Sequence, residues 1–317
     1  MIRRSRLSAR PLLAGGLVTG SVLALGACAS SPRMASGPMA TSSPASRPST
    51  AATPGAQAAT LPADANTATA QLARSPRHGE WQMVRVPGAN GAADSVRAWV
   101  VYPERATKAP VVLVVHEIFG LTTWVRAVAD QLAADGFIAV APDLLTGKLA
   151  SGHPDSLDVQ AAVAQIRRLE SAEVQRRLAG VATWAMARPA AAPRYGIVGF
   201  CWGGTTSFEH AVAAPALGTS LGASVVYYGS SPETASLASV RAPVLGLYGG
   251  DDARVNATVP AADSALKARG RTFVAETYPG AGHGFLRQQD GRSGANLEAS
   301  RRAWPRTVAF FRQQLER

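Results

Sequence analysis

The sequence predicts a doubly wound α/β fold with a mainly parallel β-sheet. Three observations lead to that prediction. Strand-like and helix-like patterns alternate along residues 76–317, which is typical of this architecture. Val111–Val115 is a run of five apolar residues, four of them β-branched, as expected of a strand buried on both faces. The glycine-rich segment Gly199–Gly204 lies between a strand pattern and a helix pattern.

The elements follow from hydrophobic periodicity and from turn residues. Alternating apolar and polar residues at the start of the domain indicate edge strands, and continuous apolar runs indicate central ones. The predicted strands are Trp81–Val86, Val96–Tyr102, Val111–Val115, Phe137–Ala141, Tyr195–Gly199, Ser224–Tyr228, Val244–Tyr248 and Thr272–Tyr278. The predicted helices are Thr123–Asp135, Leu157–Arg188, Thr205–Ala214, 256–269 and 296–315.

Composition excludes several classes of protein. The chain has 317 residues and two cysteines, too few for a disulfide-stapled scaffold, and a mean hydropathy of +0.03 excludes a polytopic membrane protein. The formal net charge of +11 is concentrated at the start, where residues 1–75 hold seven arginines and one acidic residue, Asp64. Because the remainder is only mildly basic and has no basic run with interleaved aromatics, we expect no nucleic-acid partner.

Residues 1–28 have the features of a secretory signal peptide. A basic start at Arg3-Arg4-Ser5-Arg6 precedes the uncharged, mainly apolar stretch Leu12–Ala27. Leu25-Gly26-Ala27-Cys28 resembles a bacterial lipobox, which implies lipidation of Cys28 and export to the periplasm or cell envelope. A plain cleaved signal and an uncleaved anchor are the alternatives. Arg3-Arg4 with Leu7 also resembles a loose twin-arginine signal.

Residues 29–75 are predicted to be a disordered tether. They consist almost entirely of Ala, Ser, Thr, Pro and Gly, and no Phe, Trp or Tyr occurs before Trp81. Such a composition lacks the apolar side chains that offset the entropy cost of ordering. The sequence therefore predicts a globular domain at residues 76–317, held away from a membrane by the tether.

The segment Gly199-Phe200-Cys201-Trp202-Gly203-Gly204 matches the nucleophile-elbow pattern G-x-S-x-G, with cysteine in place of serine. Such a turn raises the nucleophile above the sheet and directs the next backbone N–H, here that of Trp202, at a developing oxyanion. The alternative is a buried cysteine beside an ordinary glycine turn.

An acid and a base follow the elbow in the chain order that a triad requires. Asp251 and Asp252 follow the strand Val244–Tyr248, and the spacing Gly-x-x-Asp-x-x-Val favours Asp252. His283 lies between glycines after the strand Thr272–Tyr278, and a solvated loop histidine is the alternative.

Four motifs together resemble the dienelactone hydrolase family: His116-Glu117-Ile118-Phe119-Gly120, Pro142-Asp143-Leu144, the elbow, and Gly282-His283-Gly284-Phe285. The resemblance covers the whole globular domain. It implies an α/β-hydrolase fold and a Cys–His–Asp triad that opens lactones and cleaves small esters. Cys201 would be the nucleophile, His283 the base and Asp252 the residue that orients the base.

The resemblance assigns further residues. Glu117 matches the family glutamate that contacts the thiol, Ile118 and Trp202 would supply the oxyanion-hole N–H groups, and Arg287 matches an arginine that holds an anionic substrate. His116 is expected to be structural. The sequence departs from the family where a second arginine is expected, because only the displaced Lys148 is found there.

The sequence therefore predicts an enzyme, a cysteine hydrolase of small esters or lactones, with neutral substrates favoured by the missing arginine. No histidine pair has metal-ligand spacing, so we expect no metal and no cofactor. We expect a monomer that meets a membrane only through its N-terminal lipid. The alternatives are a peptidase or acyltransferase on the same scaffold and a non-catalytic binding protein of the envelope.

Overall fold

The computed structural model describes residues 60–149 and 157–316. They form one eight-stranded sheet flanked by helices. The strands are β1 (Gly79–Pro87), β2 (Ala93–Val101), β3 (Ala109–Val115), β4 (Ile138–Asp143), β5 (Ala191–Phe200), β6 (Leu221–Tyr227), β7 (Val244–Gly249) and β8 (Phe273–Tyr278). The helices are α1 (Ala68–Arg74), α2 (Thr123–Ala134), α3 (Val159–Ile166), α4 (Ser171–Met186), α5 (Trp202–Ala213), α6 (Ala253–Asn256), α7 (Val259–Lys267) and α8 (Ala295–Leu315).

The strand order in the sheet is β1-β2-β4-β3-β5-β6-β7-β8. β1 pairs with β2 and β2 pairs with β4 in antiparallel fashion, and every other neighbouring pair is parallel. The prediction of a doubly wound, mainly parallel sheet is confirmed. The arrangement is that of the α/β-hydrolase fold.

Side-chain alternation along β3 divides the core between the two faces of the sheet. Val112 and Val114 pack in the cluster that contains residues of α2 and α8. Leu113 and Val115 pack in a second cluster with residues of α4. A third cluster joins α5 and α7 to β7. Burial on both faces explains why β3 is apolar at every position.

The domain begins earlier than the sequence predicted. Residues 60–75 were expected to belong to a disordered tether, but the described part of this segment packs on the domain. Ala63 and Ala68 are buried in the core cluster of α2 and α8, and the indole N–H of Trp124 donates to the carbonyl of Ala63 at 3.0 Å. The predicted boundary at residue 76 is therefore wrong. The signal peptide, Cys28 and the tether up to residue 59 lie outside the described residues.

The long helix predicted over Leu157–Arg188 is two helices, α3 and α4, separated at residues 167–170. They bury different faces: Ala162 and Ile166 of α3 pack on Leu145, while α4 packs on the sheet. Within the part of the chain that the structure describes, no helix is both long and apolar enough to cross a membrane.

Candidate active site

The elbow between β5 and α5 is tightly constrained. Cys201 has φ 57° and ψ −116°, in the region that L-residues rarely adopt. A side chain on Gly199 would overlap the backbone of Gly203, and one on Gly203 would lie 2.4 Å from the carbonyl oxygen of His116. Only glycine fits at these two positions, so the strained turn is enforced by its surroundings. This geometry explains why the elbow requires glycines on both sides of the cysteine.

Cys201 is a free cysteine and is partly exposed. Burial raises its pKa, and the nearby Glu117 carboxylate raises it further. Hydrogen bonds from the backbone N–H groups of Trp202 and Ile118, together with the charge of Arg254, act in the opposite direction without cancelling the increase. The resting thiol is therefore protonated near neutral pH, although the start of a helix by itself favours a thiolate.

The loops after β7 and β8 bring an aspartate to a histidine. His283 Nδ1 lies 2.5 Å from Asp252 Oδ2, and the Asp252 side chain is almost fully buried. Asp251 instead pairs with Arg292 at 3.0 Å on the surface. The two loops are also joined by backbone, because Asp251 N–H donates to the carbonyl of Ala281 at 3.0 Å. The structure thus brings Asp252, the residue favoured by spacing, to the imidazole.

Glu117 follows β3 and is buried at 3% exposure. Burial raises its pKa to about 7, while the nearby Arg287 lowers it in part. Arg287 Nε lies 3.2 Å from Glu117 Oε2, and the guanidinium also stacks over the ring of Phe119 at 4.9 Å. The carboxylate and the guanidinium therefore form a pair beside the thiol.

Tyr228, directly after β6, is a site residue that the sequence analysis did not single out. Its ring centroid is 5.1 Å from that of His283, and its buried hydroxyl has no hydrogen-bond partner. Burial raises its pKa well above the usual value, with further contributions from Glu117 and Cys201. Tyr228 has φ 40°, and a positive φ on a non-glycine residue often marks a functional site. Nothing in its sequence context distinguishes it from other apolar strand ends.

Lys148 is paired elsewhere. Its Nζ lies 2.8 Å from Glu173 Oε1 on α4, so its charge is already neutralised by a partner. Among the described residues, no group of three or more His, Cys, Asp or Glu side chains is arranged to hold a metal ion.

The site is assembled from the carboxyl ends of five adjacent parallel strands, where ligands bind in open α/β sheets. Glu117, Cys201, Tyr228, Asp252 and His283 follow β3, β5, β6, β7 and β8 respectively. The site combines a thiol, at which two backbone N–H groups are directed, with an imidazole that is held by a carboxylate. These groups can together carry out nucleophilic acyl transfer with oxyanion stabilisation.

Comparison with known proteins agrees with this chemistry. Residues 96–315 match the model of the dienelactone hydrolase family. Two proteins named "Putative carboxymethylenebutenolidase" are similar to the chain. The one from Salmonella typhimurium is 33% identical, with 69% of this chain and 83% of the relative covered. The one from Methylorubrum extorquens is 32% identical, with 82% and 89% covered.

A solved structure supports the same grouping. The crystal structure titled "Putative Dienelactone Hydrolase" from Klebsiella pneumoniae superposes with a TM-score of 0.62 at 31% sequence identity. The match covers 74% of this chain and 99% of that one, so the similarity extends over the whole folded domain rather than a fragment of it.

Proposed function

The chain belongs to the dienelactone hydrolase family and is a hydrolase of carboxylic esters or lactones; from that premise, we propose that it acts through a Cys201–His283–Asp252 triad. The observation that carries the proposal is the convergence of the Ile118 and Trp202 N–H groups on the Cys201 thiol. The contact between His283 and Asp252 supplies the base and its orientation.

In the proposed mechanism, Cys201 Sγ attacks the acyl carbon while its proton passes to Nε2 of His283. Asp252 accepts a hydrogen bond from Nδ1–H, which leaves the Nε2 lone pair free for the proton. The tetrahedral oxyanion lies between the N–H groups of Ile118 and Trp202. Its collapse breaks the ester or lactone C–O bond, and the departing oxygen takes the proton from His283. Water, deprotonated by His283, then hydrolyses the thioester and restores the thiol.

Glu117 has a separate role in this proposal. Its charge disfavours a thiolate at rest, which protects Cys201 from unwanted reactions until a substrate binds. An anionic substrate held by Arg287 competes with Glu117 for the guanidinium. With a neutral substrate, Arg287 stays paired with Glu117, and the thiol proton passes to His283 as described above.

We propose small neutral esters or lactones as the preferred substrates. Arg287 is the family cation that the sequence retains, whereas Lys148 is paired with Glu173. A hydrogen bond to a charged group contributes about 1.5–3 kcal/mol, so a missing bidentate partner lowers kcat/KM for an anionic substrate roughly ten- to a hundredfold. The test compares kcat/KM for dienelactone with that for a neutral acetate ester of similar leaving group. A preference for dienelactone above about a hundredfold contradicts this assignment.

We also propose that the enzyme is exported and anchored by a lipid on Cys28. The support is the lipobox-like segment Leu25–Cys28 after the basic, apolar leader.

The experiment that tests the triad uses a Cys28→Ala protein, in which Cys201 is the only cysteine. We expect a short acyl ester to leave a mass increment on the peptide that contains Cys201, and iodoacetamide to abolish turnover unless substrate is present. A Cys201→Ala variant should be inactive, and Glu209→Gln, a change on the outer part of α5, should remain active. Full turnover by the Cys201→Ala protein would overturn the proposal.

A further inference from the structure

His116 is a buried histidine beside the site that the mechanism does not use. It follows β3 directly and is fully buried. Its Nδ1 lies 2.8 Å from the carbonyl oxygen of Glu117. Because a carbonyl oxygen can only accept, Nδ1 must carry the proton. Burial also lowers the pKa of His116, which favours this neutral, singly protonated ring.

The carbonyl that His116 contacts belongs to the same peptide group as the N–H of Ile118. A trans peptide is planar with its C=O and N–H pointing in opposite directions, so fixing one fixes the other. The backbone N–H of Gly120 also donates to this carbonyl, at 3.1 Å. Two donors therefore hold the carbonyl on one side while the Ile118 N–H faces the Cys201 thiol on the other. Hydrogen bonds to the carbonyl also polarise the amide and strengthen its N–H as a donor.

The same imidazole contacts the other side of the oxyanion hole. Its ring stacks on the indole of Trp202 with centroids 5.5 Å apart and planes inclined by 19°. Trp202 supplies the second N–H directed at the thiol. The backbones of the two segments also touch, since a side chain on Gly203 would meet the carbonyl oxygen of His116. His116 is thus in contact with both backbone segments that donate to the oxyanion.

We propose that His116 is a positioning residue that keeps both oxyanion-hole N–H groups, those of Ile118 and Trp202, directed at the oxyanion. Its Nδ1–H orients the peptide of Ile118, and its ring orients Trp202. The inference rests on the proposed function, because it requires an oxyanion to form next to Cys201. It assigns to His116 a part in catalysis beyond the structural role expected from the sequence.

Two substitutions separate the hydrogen bond from the stacking. His116→Phe keeps an aromatic ring against Trp202 and removes the donor, whereas His116→Asn keeps an amide donor near the position of Nδ1 and removes the ring. Loss of one oxyanion-hole donor lowers kcat by about 10²–10³-fold. Because His116 acts through a donor that remains present, we expect kcat for a neutral ester to fall about 10–100-fold in His116→Phe, with KM within about twofold. His116→Asn should recover at least about a third of the wild-type kcat.

A second readout distinguishes positioning from general destabilisation. A small aldehyde with the acyl group of the ester substrate adds to the thiol and places a tetrahedral oxygen in the oxyanion hole, so its Ki should rise in His116→Phe by about the same factor as kcat falls. The Ki of the corresponding alcohol, which forms no such adduct, should not change. The matched control is His210→Phe, since His210 is also fully buried but lies between Gln175 and Tyr195, away from the thiol. This control should lower Tm and leave kcat at 25 °C unchanged.

Several outcomes overturn the inference. A His116→Phe kcat within threefold of wild type would do so, as would equal losses in the Phe and Asn variants or equal losses in the aldehyde and alcohol affinities. The result for Cys201→Ala separates the two proposals. If that variant is inactive and His116→Phe is fully active, only the role of His116 fails. If Cys201→Ala is active, the mechanism itself fails.

Discussion

At the scale of single residues, the elbow shows a direct link between sequence and geometry. Cys201 is held at a positive φ because glycine at 199 and 203 lets β5 and α5 approach within backbone contact. The spacing of the motif predicts this turn, and the spacing Gly-x-x-Asp-x-x-Val predicts which aspartate reaches His283. Tyr228 could not be predicted, since its importance comes from the neighbouring loops rather than from its own sequence context.

The first prediction concerns Gly203. A methyl group at this position would lie 2.4 and 2.5 Å from the carbonyl oxygens of His116 and Val115, and backbone atoms cannot rotate away. We expect Gly203→Ala to cost about 1–3 kcal/mol of stability and to lower kcat at least tenfold, because the two oxyanion donors are pushed apart. Thermal unfolding and ester kinetics measure the two effects.

The control for that change is Gly218→Ala. Gly218 has a positive φ, unlike Gly203, and nothing lies within 4 Å of a side chain placed there. It should lose about 1 kcal/mol from backbone strain and keep its full kcat. Normal turnover by the Gly203→Ala protein would show that the elbow tolerates more movement than its contacts suggest.

The second prediction concerns the thiol. Burial and Glu117 raise the pKa of Cys201, whereas Arg254 lowers it. Removing the negative charge favours the thiolate, so Glu117→Gln should move the pH profile of iodoacetamide alkylation to lower pH. Removing the positive charge with Arg254→Gln should move that profile to higher pH. Glu209→Gln, which is not among the charges that affect Cys201, should leave the midpoint unchanged. Shifts in the same direction for both site variants would contradict this electrostatic account.

At the scale of elements, hydrophobic periodicity predicted the strands well and the helix ends less well. The break between α3 and α4 contains neither glycine nor proline. It arises because the two helices pack on different surfaces, a tertiary effect that local patterns do not contain. Residues 60–75 were misassigned for a related reason. They contact the domain through small side chains, such as those of Ala63 and Ala68, and through backbone carbonyls, such as that of Pro62, which accepts from Gln289 at 2.9 Å. Neither kind of contact can be recognised from the composition of the segment.

The third prediction tests this N-terminal segment. The N–H of Ala65 donates to the carbonyl of Arg287 at 2.9 Å, so the segment supports the loop that carries the proposed substrate-binding cation. We expect a chain that begins at residue 76 to unfold at a lower temperature than one that begins at residue 57. Each buried donor left without a partner, including the indole of Trp124, costs about 1–3 kcal/mol.

The activity of the shorter chain should change selectively. Because Arg287 loses its backbone support, kcat/KM should fall more for an ester that bears a carboxylate than for a neutral ester of the same acyl group. If the two chains have equal Tm values and equal ratios of kcat/KM for the two esters, residues 60–75 contribute neither to stability nor to the position of Arg287.

At the scale of the whole molecule, the alternation of strands and helices predicted the fold class but not the strand order. Placing β4 between β2 and β3 requires crossovers that sequence patterns do not specify. Once that order is known, the separate motifs after β3, β5, β7 and β8 meet at one edge of the sheet. The residues of the proposed triad could therefore be identified from the motifs, whereas the environment that raises the pKa of the Cys201 thiol could be identified only from the folded structure.

The last prediction concerns the lipid anchor proposed at Cys28. Cys28 precedes Thr60, the first described residue, by 32 positions, and a chain of that length reaches at most about 110 Å at ~3.5 Å per residue. A lipid on Cys28 can therefore hold the enzyme at a membrane. The candidate site residues all lie in the domain, so we expect the anchor to leave catalysis unaffected. We expect a radioactive fatty acid to label the wild-type protein, with Cys28 as the mature N-terminus.

Cys28→Ala should lose the label and appear in the soluble fraction with unchanged kcat. Cys201→Ala is the reciprocal control, since it should stay labelled and membrane-bound but inactive. A different mature N-terminus, or a label that persists in Cys28→Ala, would contradict the anchor and leave the catalytic proposal standing.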